Sequence, residues 1–270
     1  MSIVKTPWKE YMEPFRIKGN LYFVGCYAAS SHLIKTEEGL NLIDTGYPQN
    51  LYMLIDSIYK LGFSPYDIKY IIHSHGHYDH LGGTKALSEL IKNAKTFIGK
   101  GDEEYANGKV DLTWAKELGS EFYEAFEPDV IMNDGDIIKL GTTEIEIVST
   151  PGHTPGTVSF FFEIEEDGKK YKVAMHGGVG TNSMKKDFLE KYNLSFDCRE
   201  NFLAGIDKVI DREVDIFIGN HTWNNNTLGK YEKLIAGDKD AFVNTSEWKE
   251  FLNGCKDAVI KIMEDENENI

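Results

Sequence analysis

Residues 71–80 read IIHSHGHYDH, and four of the chain's eight histidines fall inside them: His73, His75, His77 and His80. Asp79 stands among them. Imidazole nitrogens and carboxylate oxygens are donors that zinc accepts, the nitrogens at ~2.0–2.1 Å. Two histidines at i, i+2 can share one ion. The His-x-His pattern occurs in two registers, His73/His75 and His75/His77. Only the second continues into Asp79 and His80, which can reach a second ion. The apolar run KYII comes just before, and Gly76 lets the chain bend inside the cluster. A strand end followed by a tight loop can gather several side chains into one small volume. The competing reading is a histidine-rich surface turn. Four candidate donors between positions 75 and 80, at a strand end, argue against it.

Two further histidines stand in similar positions. STPGHTPGT (149–157) places His153 on a loop framed by glycine and proline, and FIGNHTW (217–223) places His221 directly after the apolar run VDIFI. Each is weak alone. Sheet strands can deliver their ends to one edge, so all three sets can converge. The remaining histidines fit quieter roles. His32, in SSHLIKT, reads as structural, and His73 as a strand-end residue that supports the loop. His176, in KVAMHGGVG, could add a ligand or pack within a strand, and we take the second reading.

The elements that must position these residues alternate along the chain. LYFVG (21–25), SHLIKT (31–36), LNLIDTG (40–46), KYIIHSH (69–75) and KTFIG (95–99) read as strands. LYMLIDSIYKLGF (51–63) and LGGTKALSELIKN (81–93) carry helical spacing. The polar stretch 101–126 reads as mainly helical. VIMNDGDIIKL (130–140) reads as a hairpin about Asn133-Asp134-Gly135. TEIEIVST (143–150) follows as a strand, and residues 157–178 as two strands joined at Asp167-Gly168. RENFLAGIDKVID (199–211) and SEWKEFLNGCKDAVIKIMEDE (246–266) read as helices, with VDIFIGNH (214–221) a buried strand between them. Strands clustering before helices in both halves predict an α/β fold, an αββα sandwich of two mixed sheets flanked by helices. Nothing divides the chain, so residues 1–270 read as one domain.

Composition narrows the class. The 270 residues are 41% hydrophobic and 12% aromatic, enough for a packed core. A formal charge of −15 repels phosphate backbones and anionic lipid, which argues against nucleic-acid or membrane partners. The start, MSIVKTPWKEYMEPF, has no apolar signal region, and no run approaches the ~18–20 apolar residues of a membrane span. Cys26, Cys198 and Cys255 have no close spacing and read as reduced thiols, so the expected compartment is the cytoplasm.

The sequence HSHGHYDHLGG, followed by TPGHTPG and then GNH, resembles the metallo-β-lactamase superfamily over roughly residues 15–265. IDTG (43–46) matches that family's strand-end aspartate. The resemblance implies that His75, His77 and His153 hold one zinc, that Asp79, His80 and His221 hold a second, and that Asp44 orients the ligand loop from behind. Many hydrolases of the family carry a metal-bridging aspartate where this chain has Gly178, and other subclasses use a cysteine in the second site, also lacking here. The pattern is therefore most similar to the third β-lactamase subclass, which has no bridging protein ligand. That group usually carries small hydroxyl residues where this chain has GGVG, and is usually exported.

The implied chemistry is hydrolysis. Two zinc ions roughly 3.5–4 Å apart lower the pKa of a shared water toward ~7, so hydroxide is available at neutral pH. The expected reaction is attack on an amide or ester of a small-molecule substrate, most similar to β-lactam opening. Asp79 would be both ligand and proton carrier. The alternative is a cytosolic hydrolase of a lactone, thioester or other ester. Trp223 and the asparagines of TWNNNT (222–227) are candidates to line the pocket.

Overall fold

The structure is a computed structural model that describes residues 2–120 and 125–267. Seven strands form the first sheet in sequence order: β1 (Phe15–Lys18), β2 (Leu21–Phe23), β3 (His32–Thr36), β4 (Gly39–Ile43), β5 (Ile68–Ile72), β6 (Lys95–Gly99) and β7 (Val130–Met132). The β1–β4 pairs are antiparallel and the β4–β7 pairs parallel. The second sheet contains β8 (Ile137–Leu140), β9 (Thr143–Ser149), β10 (Val158–Glu166), β11 (Lys169–His176) and β12 (Ile216–Phe217), in the order β12-β11-β10-β9-β8. Here β8 to β11 run antiparallel, and β12 joins β11 in parallel.

The α/β sandwich expected from the sequence is present, and alternation within the strands explains it. Val158, Phe160 and Phe162 of β10 meet Phe23, Ile34, Ile43 and Ile72 of the first sheet in one buried cluster. Phe161 turns the other way, into a cluster with Phe202, Ile206, Trp248 and Leu252 of the helices Asp197–Val209 and Glu247–Asn267. On the far side of the first sheet, Leu33, Leu42 and Ile71 pack on Leu54, Ile58, Leu87 and Ile91 of the helices Leu51–Lys60 and Thr84–Ile91. Each fully buried Phe or Leu contributes roughly 1.5–3 kcal/mol. The order helix, sheet, sheet, helix follows from giving each strand face an apolar partner.

Three sequence expectations change. The segment 130–140 is not a hairpin: β7 adds to β6 in the first sheet, whereas β8 pairs with β9 in the second. The Asn-Asp-Gly turn is formed, with Gly135 at φ +84° and Asn133 N donating to Asp136 Oδ2 at 2.7 Å. It carries the chain from one sheet to the other. In the stretch 101–126 only Glu103–Ala106 is helical among the described residues, and positions 121–124 lie outside them. Left-handed Gly108, Gly119 and Trp114 break any longer helix there. The strand after Val214 shortens to Ile216–Phe217. The Asp167-Gly168 hairpin forms as expected, with both residues at positive φ, as a two-residue β-turn requires.

Parallel pairing sets up the site. Asp44 follows β4, and the histidine cluster follows β5. His153 lies between β9 and β10, and His221 lies beyond β12. All four loops leave the carboxyl ends of their strands, on one edge of the sandwich. Val158 N donates to Ser74 O across the sheets at 3.1 Å, and Asn220 Nδ2 donates to Gly177 O at 2.6 Å, which closes that edge.

Candidate metal centre

Asp44 is the foundation of the site. It is fully buried and sits at φ +58°, a left-handed conformation that Asp tolerates better than most residues. Its carboxylate accepts from Ser74 N at 2.8 Å and Ser74 Oγ at 2.7 Å, and from His80 Nδ1 at 2.9 Å. His73 stands behind the loop as expected, with Nε2 3.1 Å from Thr84 Oγ1 and Nδ1 4.0 Å from Asp44. Burial lowers the His73 pKa to about 4.

The imidazoles share one orientation rule. His80 Nδ1 donates to Asp44, His153 Nδ1 donates to Gly180 O at 2.6 Å, and His221 Nδ1 donates to Ala28 O at 2.6 Å. Ser74 Oγ gives its proton to Asp44 and therefore accepts from His75 Nδ1, 3.1 Å away. In all four rings the Nδ1 proton is spent on a fixed acceptor, which leaves Nε2 of the neutral rings of His75, His153 and His221 as a lone pair and turns Nε2 of His80 toward Asp79.

Those lone pairs meet. His75 Nε2 and His153 Nε2 face each other at 3.2 Å. Two acceptors at that distance repel unless a cation lies between them. Two nitrogens bound at ~2.0–2.1 Å to one tetrahedral zinc would stand about 3.4 Å apart, so the donors fit that ion. His75, His77 and His153 offer ligand atoms within 4.8 Å of one another, and so do His75, Asp79 and His80. Asp79 Oδ2 lies 3.4 Å from His80 Nε2 and 3.7 Å from His221 Nε2. Every residue proposed from the sequence as a ligand is thus at this one edge.

Electrostatics agree with a cation. Burial, reinforced by the neighbouring imidazoles, pushes His75 and His77 well below the ordinary histidine value, and burial lowers His153 to about 4 and His221 as well. Burial also acts against charge on His80, but Asp79 and Asp44 together hold it up to about 10. Asp79, which burial alone would raise, is held far below the carboxylate range by His80, His221 and His77. Asp44 and Asp79 thus hold His80 in its charged form, while the imidazoles of His75, His77, His153 and His221 around it are kept neutral.

Gly178 lies against His153: a Cβ built there would overlap the His153 ring. A bridging side chain at this position is sterically excluded without moving a ligand. His176 is buried at the end of β11, beside Phe202, and joins neither ligand group among the described residues. His32 is buried against Phe23, away from the ligands, with its pKa lowered by burial to about 4. Trp223 does reach the site, stacked on the His221 ring at 4.5 Å and 8°.

Sequence reasoning missed Asp102. It is fully buried and accepts from Gly76 N at 2.6 Å, Thr154 Oγ1 at 2.6 Å and Gly156 N at 2.7 Å. Gly76 separates His75 from His77, and Thr154 follows His153, so one carboxylate ties the two ligand loops together. Burial pushes its pKa up to about 6 against the pull of those three donors. GDEEYA gave no sign of this, since an acidic residue in a polar stretch looks solvated.

A sandwich with this donor set on one edge defines a class, the αββα metallohydrolase scaffold. The family model for the metallo-beta-lactamase superfamily matches residues 24–167, and the chain belongs to that superfamily. Among solved structures, the subclass B3 metallo-beta-lactamase BJP-1 of Bradyrhizobium japonicum superposes with a TM-score of 0.89, at 24% identity over 98% of this chain and 99% of that one. FEZ-1 of Legionella gormanii gives 0.87 at 29% identity, over 95% and 97%. Among curated proteins, an N-acyl homoserine lactonase of Bacillus cereus is 29% identical over 168 residues, which cover 54% of this chain. The chain spans 60% of that lactonase's length. Among the described residues no helix is long and apolar enough to cross a membrane.

Proposed function

We propose that the chain, as one domain over residues 1–270, is a metal-dependent hydrolase of a small-molecule amide or ester, most similar to a β-lactamase. Its site would take two zinc ions, one on His75, His77 and His153 and the other on Asp79, His80 and His221. The observation that carries this reading is the pair of facing Nε2 lone pairs of His75 and His153, 3.2 Å apart.

When bound, such ions act as Lewis acids toward a carbonyl and acidify a water. The chain's own residues do the rest. Asp44 holds His80 and the Ser74–His75 link in one orientation through buried hydrogen bonds. Asp79 lies between His80 and His221, where its Oδ2 can accept the proton of the attacking water and return it to the leaving nitrogen or oxygen. Trp223, stacked on His221 and 59% exposed, presents a flat apolar face to whatever enters. The three cysteines are free thiols, which supports a reducing compartment and hence the cytoplasm.

A second reading is hydrolysis of a lactone or other ester. The lactonase names of the curated relatives favour it, and the absence of a carboxylate at Gly178 speaks against it. The test is turnover by zinc-loaded protein of a penicillin, a cephalosporin, a carbapenem and an N-acyl lactone, each with a chelator control. Chelator-sensitive opening of a β-lactam at kcat/KM of about 10⁴ M⁻¹s⁻¹ or more supports the first reading. Opening of the lactone alone selects the second, and no turnover of any of the four overturns both.

A further inference from the structure

The second sheet runs out just before His221. β12 pairs with β11 at Ile216 and Phe217, and Ile218 N adds a last rung to Ala174 O at 2.9 Å. Carried onward, the Phe217–Ala174 register sets Asn220 opposite Gly177. The backbone of Asn220 is turned elsewhere, its O accepting from Ser30 N at 2.9 Å. Its side chain makes the cross-strand link instead, with Nδ2 donating to Gly177 O at 2.6 Å. A carbonyl can only accept, so the amide nitrogen must face Gly177, and Oδ1 then accepts from Asn224 Nδ2 at 2.6 Å.

Each partner of Asn220 leads to a different histidine. Ser30 belongs to the turn whose Ala28 O holds His221 Nδ1 at 2.6 Å, and Thr222 Oγ1 ties the next residue to Tyr27 O at 2.7 Å. Gly177 opens the stretch in which Gly178 lies against the His153 ring and Gly180 O holds His153 Nδ1 at 2.6 Å. Gly177 is itself wedged, since a Cβ there would come 2.1 Å from Val158 O and 2.7 Å from Ser74 O. Asn220 is 1% exposed, so water does not compete for these bonds.

We propose that Asn220 is a positioning residue that couples the two ligand groups, its carboxamide holding the His221 loop in register with the stretch that orients His153. The proposal deepens the hydrolase reading and rests on it for the two ions, whereas the link between the loops exists without them. Asp102 ties the His153 loop to the one carrying His75 and His77, and Asn220 ties the His153 side to His221. Geometry explains the residue type. A donor is needed at Gly177 O and an acceptor at Asn224 Nδ2, on one short planar group. Aspartate would set a second acceptor against Gly177 O, and leucine supplies neither function. A residue serving His221 alone would matter at one ion, and a coupling residue matters at both.

Loop geometry and metal binding can be read separately. In the metal-free full chain, nitrogen-15 NMR of histidine-labelled protein follows proton exchange at Nδ1 of His153 and His221. Asn220→Leu keeps most of the side-chain volume and removes both side-chain bonds. It should speed exchange at both histidines about tenfold, the effect on local opening of one lost buried hydrogen bond, and leave His80, held by Asp44, as it was. Zinc affinity, from competition with a chromophoric chelator, should fall about tenfold at both ions. Asn224→Ala leaves the Gly177 bond in place but frees Oδ1, so it should give a smaller change of the same kind. If far-ultraviolet circular dichroism shows that Asn220→Leu does not fold, Asn224→Ala decides. Unchanged exchange at either histidine, or a zinc loss confined to one ion, overturns the proposal. Faster exchange at both histidines in a chain whose wild type binds no zinc defeats the hydrolase reading and keeps the coupling.

Discussion

Asp102→Ala is the most informative single perturbation, because it touches no ligand. The carboxylate is fully buried and accepts three hydrogen bonds at 2.6–2.7 Å. Bonds to a charged acceptor are worth about 1.5–3 kcal/mol each, and a buried N–H left without a partner costs about 1–3 kcal/mol. The variant strands Gly76 N and Gly156 N, whereas Thr154 Oγ1 keeps Thr157 Oγ1 2.8 Å away. Removing a buried carboxylate that burial already disfavours offsets part of that loss. The net expectation is about 3 kcal/mol of destabilisation, read as a lower urea midpoint at unchanged slope. Because Gly76 separates His75 from His77, and Thr154 and Gly156 flank the His153 loop, zinc affinity should fall about tenfold or more, as when a ligand's support is lost. Competition with a chromophoric chelator measures it. Asp102→Asn keeps one acceptor but sets its amide against a backbone donor, so it should fall between wild type and alanine. An alanine variant within about 0.5 kcal/mol of wild type, with unaltered zinc affinity, would refute the idea that this residue holds the two loops together.

Three further expectations follow from the same geometry. Gly178→Ala drives a methyl into the His153 ring, so zinc bound per chain should drop by elemental analysis while far-ultraviolet circular dichroism is retained. His221→Ala removes one proposed ligand at the second ion only, and the metal content should fall from two toward one per chain. His32 has a folded pKa near 4 against an ordinary 6.5. Above pH 6.5 both states are neutral and stability is full. As pH falls below 6.5, the unfolded chain takes up a proton that the fold refuses, so stability drops, by roughly 2 kcal/mol at pH 5. His32→Gln should remove that part of the acid slope in chemical denaturation at pH 7 and pH 5.

The candidate ligands were legible because their chemistry is local and their positions are dictated by strands. Residues 75–80 carry four donors in one turn, and the apolar run before them could only be a buried strand. The expected αββα layers followed from alternation such as that of Val158 to Phe162, which sends neighbouring side chains to different cores. The crossing at 133–135 was not legible. A turn sequence specifies the bend but not the partner of the strand that follows it, and β7 finds β6 through parallel pairing set by distant residues.

By itself the sequence determined which atoms could bind metal, because donor type and spacing are properties of the chain. It also determined that those atoms would sit at strand ends. Only the tertiary structure decided which ring nitrogen each histidine presents, since that depends on Ala28 O, Gly180 O and Asp44, up to 193 residues away. The same holds for Asp102 and for Asn220. A buried acceptor shared by two loops and an amide that bridges two strand ends are both made by what packs around a residue, and packing exists only once the two sheets have closed.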